Sequence, residues 1–412
     1  MTSTSTALGL LFASLALTAS PALAQQAPAT AAAPAAPQYS ISKDAQAEVI
    51  ALKTAVEAKD VATIPAKLAA AQAKAKTKED RYVIARLELK AAADTKNSAG
   101  MMRALEAVSA SGVATPAQIT NLYTDVGAQL YEAKDYAGAA SAYEKVTALA
   151  PNDIQATVLL AEARNGQGRK AEAVALIQKA IAARKAAGQK AEENWYKRAV
   201  ALSYEGKLPT TPSLAREWAS AYPSATAWRD TIKLTQQSGN FGDEATLDIM
   251  RLMHTAGAIE GDADHFNFAQ KLVVKGYPGE AKAVLEQGFA ANKISKSNAS
   301  FAALYKEATT KSQGDRASLA ASAKSAVAGA AAKPVLNTAD AYYGYGDYAE
   351  AATLYRAALT KSGVDKNIAN LRLGMALARS GDKAGANAAF SAVTGQQGEV
   401  AKLWMAYMAT QA

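Results

Sequence analysis

The chain has 412 residues, a formal net charge of +8 and no cysteine. Without a thiol it can hold no disulfide, no thiolate-bound metal and no lipid on an N-terminal cysteine, so stability must come from packing. Its 45 Lys and Arg are interspersed with 37 Asp and Glu, and no aromatic-plus-basic motif accompanies them, which predicts solvated helix faces and no nucleic-acid partner.

Met1 to Ala24 carry no charged side chain, contain an apolar run from Ala7 to Leu17 and end in Pro21-Ala22-Leu23-Ala24. This pattern predicts a signal peptide over 1–24, cleavage between Ala24 and Gln25, and a periplasmic or secreted protein. The apolar run is too short for a hydrocarbon core of ~30 Å, and no later stretch is apolar for long enough, so no transmembrane segment is expected in the mature chain. Residues 25–40, rich in Ala, Pro and Gln, read as a disordered linker that cannot bury enough apolar surface to offset its ordering entropy.

Over 41–119, the run Glu57-Ala58-Lys59-Asp60 duplicates Glu132-Ala133-Lys134-Asp135, and Leu68 then falls where Tyr143 does. Two degenerate helical hairpins are expected there. Residues 120–191 are clearer: Tyr123, Val126, Gly127 and Leu130 recur at helical spacing, then Ala139, Tyr143 and Val146, closed by Pro151. Two amphipathic helices follow, with Gly127 and Ala139 allowing close approach and the tyrosines filling space. Leu160, Ala161, Gly168, Ala173 and Ala180 repeat the scheme in the next unit.

Residues 192–331 diverge. Trp195, Gly206 and Pro223 mark one unit in which Pro209 and Pro212 delay the second helix, Trp228 and Gly239 mark another, and Gly276 and Ala281 a third. Phe301 to Ala331 keeps only Tyr305 and Gly314, and its second helix would be almost wholly Ala and Ser. Residues 332–399 give two good units through Tyr342, Gly346, Ala351, Tyr355 and Ala358, then Gly374, Gly381, Ala386 and Phe390. Residues 400–412, with Leu403, Trp404, Tyr407 and Met408, read as a capping helix over the exposed end of the array.

One signal spans these units: Gly168, Gly206, Gly239, Gly276, Gly314, Gly346 and Gly381 follow one another at 38, 33, 37, 38, 32 and 35 residues. That is close to the ~34-residue period of a helix-turn-helix repeat. With the small and aromatic positions above, the chain resembles the tetratricopeptide repeat family, and as a whole it resembles exported proteins of that family from Gram-negative bacteria. The resemblance implies an all-α fold, an α-solenoid forming a right-handed superhelix of about ten hairpins, whose first helices line a concave groove.

The resemblance also implies which side chains face the groove: Asn121, Thr124, Tyr131 and Glu132, then Tyr196 and Tyr204, then Arg229, Lys233, Gln236 and Gln237, then Phe266 and Gln270. Aromatics beside Arg and Lys suit an extended peptide bearing carboxylates. Catalysis has little to build on. His254 and His265 sit in no paired-His helix motif, and there is no phosphate-cradling loop or nucleophile elbow. Glu260-Gly261-Asp262-Ala263-Asp264-His265 departs from the calcium-loop pattern at Phe266 and reads as a repeat junction with an acidic helix start, so no metal and no cofactor are expected. The expected function is an exported, non-catalytic scaffold or adaptor binding a protein or peptide segment. The alternative is a cell-envelope polysaccharide or peptidoglycan accessory with Trp195, Trp218 and Trp228 stacking on sugar rings.

Overall fold

The computed structural model describes residues 39–411, so the expected signal peptide and residues 25–38 of the expected linker lie outside the described residues. Twenty α-helices fill the described part. The first ten are α1 (Lys43–Glu57), α2 (Ile64–Lys74), α3 (Lys78–Asp94), α4 (Ser98–Ala110), α5 (Pro116–Glu132), α6 (Tyr136–Leu149), α7 (Ile154–Gly166), α8 (Lys170–Ala186), α9 (Glu193–Glu205) and α10 (Thr211–Ala221). The second ten are α11 (Ala225–Ser238), α12 (Asp243–Thr255), α13 (Gly261–Lys275), α14 (Pro278–Ala290), α15 (Ala299–Ala328), α16 (Ala332–Gly344), α17 (Tyr348–Leu359), α18 (Lys366–Ser380), α19 (Lys383–Ser391) and α20 (Gly395–Ala409). Among the described residues the only β-type pairing is an isolated parallel bridge between Ala331 and Ser362. The fold is an all-α solenoid, with neighbours in sequence packed as hairpins: α1 with α2, α3 with α4, and so on through α9 with α10, then α13 with α14, α16 with α17 and α18 with α19.

Local chemistry sets the ends of these helices. Thr77 and Asp80 form a reciprocal capping box on α3, as Thr115 and Gln118 do on α5. Asp135 and Asp382 each accept a hydrogen bond from an amide three residues on, Gly138 at 2.9 Å and Gly385 at 2.8 Å, and so start the second helix of their hairpins. The duplicated Glu-Ala-Lys-Asp runs fold alike: Lys59 (φ 53°) and Lys134 (φ 62°) both take the left-handed conformation that most other turns give to glycine. Pro212 lies at the start of α10, which is separated from the end of α9 by five residues, so the proline pair delays the second helix as its chemistry requires.

Close approach is the other local rule. A Cβ on Gly127 would stand 2.7 Å from the Tyr143 ring, and one on Gly374 would stand 2.5 Å from the Phe390 ring. Both rings are buried, and each lies directly over the glycine of its own hairpin.

Three of the seven periodic glycines do not play the role their spacing suggests. Gly168, Gly276, Gly346 and Gly381 have φ between 76° and 90° and turn the chain. Gly206 ends α9 at φ −78°, and Lys207 next to it takes the left-handed turn at φ 51°. Gly239 follows α11 at φ −122°. Gly314 is no turn at all. It lies inside α15, a single helix of 30 residues, so the expected hairpin over Phe301 to Ala331 does not form. One glycine costs a helix interior only ~1 kcal/mol, and no proline stands within α15 to stop it.

The second half of the solenoid closes on itself. α11 and α12 pack only lightly on each other, while α12 packs against α20 and α20 reaches α10 as well as α18 and α19. The capping helix begins at Gly395, earlier than expected, and it does more than lid the last hairpin. Its Glu399 pairs with Arg216 of α10 at 3.1 Å, its Gln396 carbonyl accepts from the Gly242 amide at 3.2 Å, and Tyr407 donates to the Thr255 carbonyl at 3.1 Å while its ring meets Trp228 edge-on at 5.4 Å. Helices α10 to α20 therefore form a closed loop of helices. The first nine pack mainly on their chain neighbours and on the next helix but one.

Candidate functional site

Of the side chains assigned to the groove, those on α5 stand where a partner can reach them. Asn121 and Glu132 are exposed, and Thr124 and Tyr131 are half-buried, with the Tyr131 ring edge-on to Tyr136 at 5.3 Å. Tyr204 on α9 is 39% exposed, Gln270 on α13 is exposed, and Gln236 on α11 is half-buried with Gln237 exposed beside it.

Tyr196 does not belong with them. It is 3% exposed, lies edge-on to Tyr222 at 5.9 Å and has the Lys185 ammonium 5.4 Å from its ring. The apolar face of α9 includes Trp195, Tyr196, Ala199 and Val200 together, wider than a single aromatic position, and it turns Tyr196 into the core. Phe266 is likewise half-buried and packs edge-on against Phe301 at 5.8 Å, so it serves the junction of α13 with α15.

Arg229 and Lys233 sit on α11 but are not free cations. Asp264 of α13 accepts from Arg229 Nη2 at 3.2 Å and lies 3.5 Å from the Lys233 ammonium, and Glu260 stands 3.9 Å from Arg229 Nε. The acidic start of α13 thus neutralises the basic surface one unit upstream. The same device links α7 to α9, where Arg198 grips Glu162 in a two-pronged bond of 2.8 and 2.6 Å. The hydrogen bond to Glu162 raises the Arg198 pKa although burial opposes it. Glu162 and Arg198 escaped the sequence reading; the signal was present as opposite charges 36 residues apart, one repeat, like the 35 of Arg229 and Asp264.

The tryptophans are packing residues. Trp195, Trp218 and Trp228 are 7%, 7% and 2% exposed, and Trp218 donates its indole N–H to Glu193 at 3.0 Å. None presents a ring face to a sugar.

The largest polar assembly is closed to solvent. Asp248 and Arg251 of α12, Glu280 of α14, Asp340 of α16 and Arg372 of α18 meet inside the closed half, all at most 5% exposed. Arg251 binds both oxygens of Glu280, at 2.8 to 3.2 Å, and reaches Asp248 at 2.9 Å and Asp340 at 3.3 Å. Arg372 binds Asp248 at 3.1 Å and Asp340 at 2.8 Å and ends on Glu244. Tyr277 and Tyr355 donate their hydroxyls to the two oxygens of Asp340 at 2.9 and 2.6 Å. Burial opposes the charge on Arg251 but Glu280, Asp340 and Asp248 outweigh it, and both arginines are held well above their ordinary pKa. At the rim, burial of Glu244 is overcome by hydrogen bonds from Lys275 and Arg372, which hold its carboxyl down at about 2.

Each carboxylate of this assembly is gripped by arginine, which makes it a framework joining four helices. Neither histidine is placed for chemistry. A ring nitrogen of His265 lies 2.9 Å from the Gly261 carbonyl, and Nε2 of His254 is enclosed without a partner among the described residues. Among the described residues, no group of three or more His, Asp or Glu side chains is arranged to hold a metal ion, and no helix is long and apolar enough to cross a membrane.

Stacked helical pairs, with glycine and aromatic side chains in register, define a helical-repeat protein. Two sequence models of the tetratricopeptide repeat match it, over residues 130–191 and 336–399, and these two segments carry tetratricopeptide repeats. No curated protein matches the sequence. Solved structures align at low identity. Pseudomonas aeruginosa PilF aligns over 65% of this chain and 98% of its own, at 13% identity and a TM-score of 0.24. The Naa15/Naa10 complex bound to HypK-THB aligns over 84% and 63%, at 14% identity and 0.33. The maize pentatricopeptide repeat protein PPR10 aligns over 86% and 54%, at 14% identity and 0.29. Tetratricopeptide repeats make the protein a scaffold for protein interaction, a role that is in general non-catalytic.

Proposed function

We propose that the protein is exported through its N-terminal signal and acts in the periplasm, or outside the cell, as a non-catalytic scaffold that holds a protein segment against the first helices of its N-terminal hairpins. One observation supports the contact surface: α5, α7 and α9 pack mainly on the helices next to them in the chain, whereas α10 to α20 are closed into a loop. Asn121, Thr124, Tyr131, Glu132 and Tyr204 form the contact surface. Arg229 and Lys233 take part only if a partner carboxylate replaces Asp264, which lowers what they can contribute because an existing ion pair must break first.

A photo-reactive side chain placed at Asn121 or Tyr204 in cells tests the surface. A protein adduct that weakens with Tyr131→Ala and Glu132→Ala is the expected result. Adducts formed equally at Lys179 on the outer helix α8, and indifferent to those substitutions, would overturn the surface. Export is tested separately by sequencing the mature N-terminus, with Gln25 expected first; a chain that keeps Met1 in the cytoplasm would overturn that part.

A further inference from the structure

The charges sealed inside the closed half do not balance. Asp248, Glu280 and Asp340 supply three carboxylates, Arg251 and Arg372 supply two guanidinium groups, and all five are at most 5% exposed. The cations around them are spent elsewhere. Lys271 and Lys275 of α13 pair with Asp243 and Glu244 at the rim, and Arg379 of α18 is exposed and donates to Thr255 at 2.9 Å. Arg229 and Lys233 of α11 turn to Asp264, and Lys402 of α20 turns to Glu399. His254, also on α12, meets Phe268 edge-on, and Tyr277 and Tyr355 bring hydroxyls without charge. With every group in its ordinary state the core holds one uncompensated negative charge, which burial makes costly.

The carboxylate oxygens are not equally served. Each oxygen of Asp340 accepts from a tyrosine hydroxyl and from an arginine. Glu280 lies in the fork of Arg251, with bonds of 2.9 and 2.8 Å to its two oxygens. Asp248 Oδ1 accepts from Arg251 at 2.9 Å and from Arg372 Nε at 3.1 Å, but Oδ2 has only the far branch of that same Nε–H, at 3.2 Å. Among the described residues it is the one carboxylate oxygen of the core without a donor of its own. Burial pushes the Asp248 carboxyl above its ordinary range against the pull of Arg372 and Arg251. Burial acts on Glu280 in the same direction, but the arginine fork leaves no oxygen there open to a proton.

We propose that the closed half holds one proton on Oδ2 of Asp248 at neutral pH, taken up when α12 and α18 come together. Protonation leaves two carboxylates facing two guanidinium groups, and Asp248 still accepts from both arginines through Oδ1. Loss of the proton in alkali restores the buried charge and loosens α12 from α18. By linkage, a carboxyl that titrates higher in the folded chain than its ordinary value of about 3.9 stabilises fully below that value, and its contribution falls as pH rises toward the folded one. That slope is opposite in sign to the contribution of His254. The latch stands whether or not the N-terminal hairpins hold a partner.

Infrared spectra of the full chain at neutral pH read the proton directly, as the carbonyl stretch of a protonated carboxyl. The band is expected in the folded parent, should shift when aspartate side chains are labelled with heavy carbon, and should vanish in Asp248→Asn. Asparagine offers an oxygen and an N–H where protonated aspartate offers an oxygen and an O–H, so this variant should fold. In urea unfolding, the folding constant of the parent relative to the variant should fall about tenfold for each pH unit above about 4, until the folded carboxyl ionises. His254 is common to both chains and cancels. Absence of the band in the parent, a band that follows glutamate labelling or survives the substitution, or parallel pH profiles of parent and variant would overturn the proposal. Should Asp248→Asn fail to fold, the labelled parent decides alone.

Discussion

The guanidinium groups of Arg251 and Arg372 share the carboxylates of Asp248 and Asp340 inside the closed half of the solenoid. Their helices, α12 and α18, are separated by five others in the chain, so this sharing is what fixes the way the second half folds back on itself.

Arg372→Met should therefore be severely destabilising. It leaves Asp248 and Asp340 buried against one guanidinium, and removing one partner of a buried charge network costs about 3–5 kcal/mol. Urea unfolding of the full chain reads the loss. Adding Asp248→Asn should restore part of it, since the orphaned charge then disappears. A loss below about 1 kcal/mol for Arg372→Met would show the assembly to be hydrated.

Gly346 and Gly314 separate turn from helix. Gly346 has φ 83°, so Gly346→Val should cost ~1 kcal/mol or more. Gly314 lies inside α15 with nothing near the position of a Cβ, so Gly314→Ala should stabilise by about 0.5–1 kcal/mol. Thermal unfolding of the two variants should move in opposite directions, and a shared direction would put one glycine in the wrong conformation.

Gly374→Ala should destabilise by about 1–3 kcal/mol although it adds one methyl and suits a helix. The added carbon would meet Phe390 at 2.5 Å, and that ring is held by Trp404 stacked 6.3 Å away. Phe390→Leu combined with Gly374→Ala should recover part of the loss, as a double-mutant comparison would show.

Acid should loosen the fold in two places. Burial, with Arg379 and His265 adding to it, lowers the His254 pKa to about 4. The unfolded chain binds this proton near pH 6.5, so stability is complete above that and falls by on the order of 2–3 kcal/mol as pH drops toward 4. Asp80 is fully buried, but hydrogen bonds from Ser42, Thr77 and Lys76 outweigh the burial and hold its carboxyl well below the carboxylate range. Its contribution is present above about pH 4 and is lost below. His254→Phe should flatten the pH dependence of the unfolding midpoint between pH 6.5 and 4, and an unchanged slope would put the proton elsewhere.

How far these features can be read from the sequence depends on whether their cause is local. Gly127 with Tyr143, and the Lys-Asp and Gly-Asp turns, are local pairs at fixed spacing, so the hairpins that use them are legible. Gly314 keeps the period without the turn because period alone does not report φ, and no proline within α15 stops the helix. The ionic core draws on four helices; only Asp248 and Arg251, three residues apart on α12, lie close in sequence, and Arg372 stands among Leu371, Leu373 and Met375 as an unexplained charge. Tyr196 shows the same limit on the groove, since its inward turn follows from how α9 sits against α8 and α10.

An ordinary array of stacked hairpins can gain or lose a unit and simply become longer or shorter. Here α20 must land on α10 and α12, and the side chain of Arg372 must arrive opposite Asp248, so the number of helices between them is set by geometry. Duplication or deletion of a hairpin between Gly261 and Lys366 would shift those meeting points by the width of a whole unit. Change in the number of units is left to the hairpins of α1 to α9, which take no part in that closure.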